Sequence, residues 1–60
     1  MCESTAYTTE GTKIMEDVIS VKIDNDKITL IDILNGVKVL KGRITEIDLD
    51  KHGIYIKLNE

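Results

Sequence analysis

Apolar residues recur at nearly every second position along much of the chain, and this period favours β-strands over helices. Residues 18–23, 37–39 and 54–58 place Ile, Val or Leu in near alternation with polar residues. In residues 28–33 the apolar positions change from one face to the other, which predicts a β-bulge. Residues 44–49 fit a single face only if the strand bends. The chain is therefore predicted to be built from bent strands.

Turn residues separate these segments. Residues 24–26, Asp-Asn-Asp, predict a hairpin loop between two alternating runs. Asn35-Gly36 predicts a type I′ turn, in which both central residues need positive φ. Gly42 lies inside a strand pattern, where glycine marks a kink or a bulge. Residues 51–53, Lys-His-Gly, predict the last connection.

The elements add up to one domain over residues 1–60. Residues 2–9 predict a first strand and residues 10–12 the turn after it. About five short antiparallel strands in a chain of this size protect their edges by curling into a small barrel. The predicted fold class is all-β, a small SH3-like barrel.

The length of the chain predicts self-association. A domain of 60 residues buries only about 60% of the surface that its unfolded chain exposes. Small scaffolds compensate with disulfides, a structural metal or oligomerisation. One cysteine excludes an intramolecular disulfide, and no Cys/His array for structural zinc is present. The remaining expectation is a homodimer.

Charge and composition limit the classes of binding partner that the chain is expected to have. The formal net charge is −3, and the only aromatic residues are Tyr7 and Tyr55. Nucleic-acid binders usually carry a basic footprint, so nucleic acid is an unfavoured partner. The first residues lack the pattern of a signal peptide, and no apolar run is long enough to span a bilayer. These features predict a cytoplasmic protein with no membrane partner.

No enzyme signature is present, and the prediction is that the chain is not an enzyme. His52 could in principle act as a base for a Cys2 nucleophile, but nothing in the sequence brings the two together. The carboxylates have the spacing of solvent-facing strand and turn residues, and His52 has the position of a polar turn residue.

Cys2 is the one candidate for metal chemistry. A thiolate next to the chain start can bind a metal together with the terminal amine of Met1 and the intervening backbone nitrogen. Such closely spaced N,S donors suit square-planar Ni(II) or Cu(II) better than tetrahedral zinc. The alternative is that Cys2 is simply a small apolar residue at the start of a strand.

Short segments along nearly the whole chain give it a family likeness. On these segments the sequence resembles the CooT family of small nickel-binding proteins, which is linked to carbon monoxide dehydrogenase maturation. The segments are Met1-Cys2, Met15-Glu16-Asp17-Val18, Asp24-Asn25-Asp26, Leu30-Ile31-Asp32-Ile33, Gly42-Arg43-Ile44, Ile47-Asp48-Leu49, and His52 ahead of Ile54-Tyr55-Ile56.

The resemblance implies an SH3-like barrel that forms homodimers and binds Ni(II) through the cysteine after the initiator methionine, here Cys2. It therefore predicts a nickel-binding accessory protein that holds one Ni(II) at the dimer interface. The purpose would be maturation of a client such as carbon monoxide dehydrogenase, or nickel homeostasis. The alternative is a small β-barrel that binds nucleic acid or acts as an adaptor, with Cys2 incidental.

Overall fold

The chain forms five β-strands, and the residues that the structure describes contain no helix. The structure is a computed structural model that describes residues 3–59. This confirms the predicted all-β class and the number of strands. The strands are β1 (Ser4–Thr8), β2 (Lys13–Asp24), β3 (Lys27–Asp32), β4 (Val37–Asp48) and β5 (Gly53–Leu58).

The strands pair in chain order and close into a barrel. The four pairs joined by a direct connection are antiparallel, as predicted. The pair that closes the ring, β1 with β5, is parallel. The parallel direction follows from the number of strands. Each hairpin reverses the direction of the chain, so the first and fifth strands run the same way. The two strands that begin the ring and end it thus start at the same end of the barrel.

Two of the strands are longer than the short strands that were predicted, because each serves both halves of the barrel. β2 pairs with β1 through residues 13–18 and with β3 through residues 18–24. β4 pairs with β3 through residues 37–41 and with β5 through residues 42–48. The change of partner in β4 falls at Gly42, where a kink or a bulge was predicted, and the register shift in β4 lies between Ile44 and Glu46.

The predicted bulge in residues 28–33 is not in β3, which pairs without a register shift on its β4 side. Its two faces are both apolar: Ile28 and Leu30 are fully buried, whereas Ile31 occupies the opposite face. The irregularity lies instead across the ladder in β2, between Val18 and Ser20. A second register shift in β4 supplies the predicted bend of residues 44–49.

The turn at Asn35-Gly36 differs from the predicted type I′ turn. Asn35 is left-handed with φ 68°, but Gly36 is not among the positive-φ residues. The Asn35 N–H donates to the Asp32 carbonyl oxygen at 2.9 Å, so the β-turn spans Ile33 and Leu34. This arrangement matches a turn followed by a left-handed residue. The 24–26 hairpin is confirmed, with Asn25 left-handed at φ 56°.

The core is small for the amount of apolar surface that stays outside it. Among the described residues, seven apolar side chains are buried: Ala6, Met15, Val18, Ile28, Leu30, Ile54 and Ile56. Eight large apolar side chains are exposed: Ile19, Ile23, Ile33, Leu34, Val37, Val39, Ile47 and Leu49.

Candidate functional site

The two residues predicted to bind metal, Met1 and Cys2, lie outside the described residues. The first strand begins at Ser4. Ser4 and the residues around it are the described part of the chain that follows these two in the sequence.

The parallel pair of strands brings His52 to this place. Thr5 is the register partner of Gly53, and the Thr5 N–H donates to the His52 carbonyl oxygen at 2.9 Å. His52 occupies the turn before Gly53, as predicted, with a left-handed φ of 56°. The ring closure therefore brings the His52 turn beside the start of β1.

An aromatic pair fixes the backbone beside His52. A Cβ at Gly53 would lie 3.1 Å from both the Cε2 atom and the hydroxyl oxygen of Tyr55, so the Tyr55 ring folds back over this glycine. Tyr7 stacks on Tyr55 with ring centroids 5.5 Å apart and planes 18° from parallel. Only a residue without a side chain fits under the ring, which holds the start of β5 against β1.

The other side of Ser4 is formed by β2 and by the connection between β3 and β4. Ser4 is the register partner of Val18. The neighbouring Asp17 is left-handed at φ 57°. Its backbone carbonyl oxygen accepts a hydrogen bond from the Ile33 N–H at 2.9 Å. We call the end of the barrel formed by Ser4, Thr5, Asp17, Ile33 and His52 the chain-start rim.

Exposed apolar side chains follow this rim. Ile19 and Ile33 are each about half exposed, and Leu34 is 87% exposed. Leu34 follows directly on Ile33, and Ile19 lies in the β2 bulge beside Val18. The chain-start rim thus has the polar His52 turn on one side and the apolar residues Ile19, Ile33 and Leu34 on the other.

The described residues hold no complete metal site of their own. Residues 3–59 contain no group of three or more His, Cys, Asp or Glu side chains that could hold a metal ion. Backbone N–H groups of turns donate to two of the carboxylates, those of Asp32 and Asp48. The Asp48 Oδ1 atom accepts the N–H groups of Asp50 at 3.1 Å and Lys51 at 3.0 Å.

A groove of about 340 Å³ lies at the opposite end of β1 and β5, lined by Thr8, Thr9, Glu10, Lys57 and Leu58. Five residues of strand separate Thr9 from Ser4, which is about 17 Å. One carboxylate beside one ammonium group does not make a metal site. The groove is therefore separate from the chain-start rim.

The outer face around the aromatic pair has no excess of positive charge next to Tyr7. Lys13 is the register partner of Tyr7 and forms an exposed ion pair with Glu16. The hydrogen bond between them raises the pKa of Lys13 and lowers that of Glu16. The lysine opposite Tyr7 is therefore already paired. No helix in residues 3–59 could cross a membrane.

Comparison with known proteins gives a consistent result. The profile of a family described as "CO dehydrogenase accessory protein CooT" matches residues 1–57. An uncharacterized protein of Methanothermobacter thermautotrophicus is 47% identical over 60 residues, covering 100% of this chain and 94% of the relative. An uncharacterized protein of Methanocaldococcus jannaschii is 37% identical over 57 residues, covering 95% of this chain and 98% of the relative.

The fold also has a counterpart among solved structures. The crystal structure of a protein of Carboxydothermus hydrogenoformans assigned as a CooT superposes with a TM-score of 0.88. The match covers 98% of this chain and 100% of the other, at 22% sequence identity. At this identity the likeness shows a shared fold.

Proposed function

Because the chain belongs to the CooT family of CO dehydrogenase accessory proteins, we propose that it is a nickel carrier that holds one Ni(II) per homodimer. The observation that carries the proposal is the family match over residues 1–57, which includes Cys2. Membership of an accessory family also agrees with the prediction that the chain is not an enzyme. Nickel here is cargo, held for a client such as carbon monoxide dehydrogenase or for nickel homeostasis in the cytoplasm.

The chemistry of the chain start suits this cargo. Thiolate and nitrogen donors close together favour square-planar Ni(II), and Cys2 with the nitrogens beside Met1 offers that donor type. One thiolate per chain is a poor site. A two-fold axis presents each donor twice, so two Cys2 thiolates and one nitrogen from each chain supply four donors around a single ion.

Two chains must meet through contacts between side chains and not by pairing strand edges at β1. β1 is paired along both edges, with β2 on one side and β5 on the other, so a second copy cannot extend the sheet at β1. A dimer interface that holds nickel at the chain start therefore needs a side-chain surface beside the first strand. Ile19, Ile33 and Leu34 border the chain-start rim and supply apolar area there.

The interface can be tested separately from the metal. We expect Leu34→Lys to shift the protein toward the monomer without unfolding it, because Leu34 is 87% exposed and a charge at an interface must lose its water. The matched control is Ile23→Lys, also exposed and about 17 Å along β2 from Val18. Sedimentation at micromolar concentration separates the outcomes. A dimer that is equally strong in both variants would place the interface elsewhere.

The metal function is tested by titrating nickel into the wild type and Cys2→Ser. The serine keeps the size and removes the soft thiolate, so folding should survive while nickel affinity collapses. Absorption should show a thiolate-to-nickel charge-transfer band in the wild type alone. If Cys2→Ser binds nickel as tightly as the wild type, the proposal of a site at the chain start is wrong.

The second candidate is a nucleic-acid-binding or adaptor barrel with Cys2 incidental. The stacked Tyr7 and Tyr55 rings on the outer face favour it, since bases stack on aromatic side chains. The net charge of −3 and the pairing of Lys13 with Glu16 count against it. Salt-sensitive binding of single-stranded RNA that is lost in Tyr7→Ala, with no nickel band, would favour this candidate over the carrier.

A further inference from the structure

Four cations are neighbours on the outer face of the barrel, where β3, β4 and β5 meet. Lys27 is the register partner of Lys41, and Arg43 is the register partner of Lys57. Lys41 and Arg43 lie on either side of the buried Gly42, and all four cations are exposed. We call these four residues the cationic strip. We propose that the cationic strip and the valines beside it form a docking surface for an acidic face of a partner protein.

The cationic strip is unfavourable for the free protein. Directly opposite residues on paired strands have Cβ atoms about 4.5–5.5 Å apart, and like charges in such pairs are destabilising. The two pairs are about 7 Å apart along β4, which is within the Debye length of about 10 Å at 0.1 M salt. Asp24 is opposite Lys27 on the β2 side, but the single ion pair in residues 3–59 joins Lys13 and Glu16. The repulsion within the cationic strip is therefore not relieved by the chain itself.

The same face of β4 continues from the cationic strip into apolar residues. Val39 and Val37 precede Lys41 at two-residue intervals and therefore share its face. They are 55% and 59% exposed, and their partners on β3 are the half-buried Thr29 and Ile31. Protein interfaces combine an apolar centre with a polar rim. Exposed valines beside exposed cations match that composition.

The kind of partner follows from the charges. A two-fold contact between copies of this chain would set the cationic strip against itself, because such an interface presents the same patch from both sides. A nucleic acid would leave the valines unused, and its regularly spaced phosphates, following β4 beyond Arg43, would meet Glu46 and Asp48. An acidic protein surface with apolar residues complements both parts of the face. The inference goes beyond the nickel function and does not depend on it.

Binding is tested on the apo protein with three fluorescent probes of equal charge. The first is a peptide of mixed glutamate and leucine, the second is the same peptide with serine in place of leucine, and the third is an oligouridylate. Fluorescence anisotropy measures the affinity of each probe. We expect the leucine peptide to bind most tightly, and its binding to weaken as salt screens the charges.

The test of position compares Lys41→Glu with the matched control Lys51→Glu. Both lysines are exposed, and both variants have the same net charge. At low ionic strength we expect the association rate of the leucine peptide to fall by about tenfold or more in Lys41→Glu alone, since steering by charge changes association rates by about 10–1,000-fold. Val39→Thr keeps the branched side chain and should remove the advantage of leucine over serine.

Thermal unfolding of the apo protein gives a readout that needs no probe. Lys41→Glu should raise Tm at low ionic strength, because it replaces repulsion from Lys27 and Arg43 by attraction. Salt should reduce this gain. Lys51→Glu places a third carboxylate beside Asp50 and Asp48 and should not raise Tm.

Five results would overturn the inference. If the oligouridylate binds more tightly than both peptides and Lys41→Glu weakens it, the cationic strip serves nucleic acid. If the two peptides bind equally, the valines take no part. If both charge variants weaken binding alike, net charge governs it and no site exists on this face. If none of the probes binds, the face is not a docking surface for acidic partners. If Lys41→Glu does not raise Tm at low ionic strength, the four cations do not repel one another as described.

Discussion

Replacing Gly42 by alanine should be among the most damaging single substitutions in this barrel. Gly42 is buried where β4 leaves β3 and joins β5. A Cβ there would overlap the carbonyl oxygen of Lys57 and come within 3.0 Å of the Leu58 Cα atom. Both obstacles are backbone, so no rotamer change can relieve the overlap and β5 itself must move.

The size of the stability loss follows from the packing and the hydrogen bonds that a movement of β5 would disturb. Overpacking costs about 1–3 kcal/mol. The Gly42 N–H bond to the Asp26 carbonyl oxygen (2.8 Å) and the Asn59 N–H bond to the Lys41 carbonyl oxygen (2.9 Å) both lie at this junction. Each is worth about 1 kcal/mol, so the expected loss is about 3–5 kcal/mol. Total stability at about 0.05–0.15 kcal/mol per residue is only about 3–9 kcal/mol for a chain of this length.

Urea unfolding followed by circular dichroism measures this loss, at fixed protein concentration because a dimer's stability depends on it. Lys41→Ala is the matched control, one residue earlier on the same strand and exposed. It should stay within about 0.5 kcal/mol of the wild type. A Gly42→Ala protein as stable as this control would mean that β4 and β5 do not approach each other as described.

Two further outcomes are expected. Gly36→Ala should cost about 1 kcal/mol, because its Cβ would lie 2.7 Å from the Asp32 Oδ2 atom. In Asp32→Ala the same change should cost less, and a double-mutant cycle in urea measures the difference. Nickel affinity should weaken as pH falls, because the Cys2 thiol must lose its proton to bind. Titration at two pH values measures this, and equal affinities would argue against a thiolate ligand.

The sequence predicted the elements of the fold better than their connections. Alternating Ile and Val residues identified the strands, because this signal is local. The Asn35-Gly36 signal was local too, but it was misassigned. Asp32 caps the connection by accepting the N–H groups of Leu34 at 2.9 Å and Gly36 at 2.7 Å. That side-chain contact moves the turn by two residues, and dipeptide preference does not include it.

The place of His52 could have been predicted from the strand count. Five strands joined by hairpins and closed into a ring must place the first and the last in parallel. The residues just before each of these strands then share one end of the barrel, and they are Glu3 and the His52 turn. By contrast, the apolar residues at the chain-start rim carry no sequence signal, because Ile19 and Ile33 fit the strand pattern as well as core residues do.

The dependence of stability on nickel can show whether the folded barrel contributes to the site. Cys2 and the nitrogens beside it are neighbours along the chain, so on their own they would bind nickel in the unfolded chain as well. A site that needs a second chain exists only when the barrel is folded and paired. A ligand that binds the folded state alone adds about 2.7 kcal/mol at 100 times its Kd. At about 4–8 °C per kcal/mol for a domain of this size, Tm should rise by about 10–20 °C.

Thermal unfolding of the wild type and Leu34→Lys, each at 100 times its own nickel Kd, tests this dependence. We expect the full rise in the wild type and a smaller one in the variant, which as a monomer keeps only donors that the unfolded chain also offers. Using each protein's own Kd removes the difference in affinity, so what remains is the share of binding that requires the folded dimer. An equal rise in both proteins would mean that the site depends on folding without the second chain. No rise in either would mean that the nickel donors are local to the chain start and that the barrel serves only to present them.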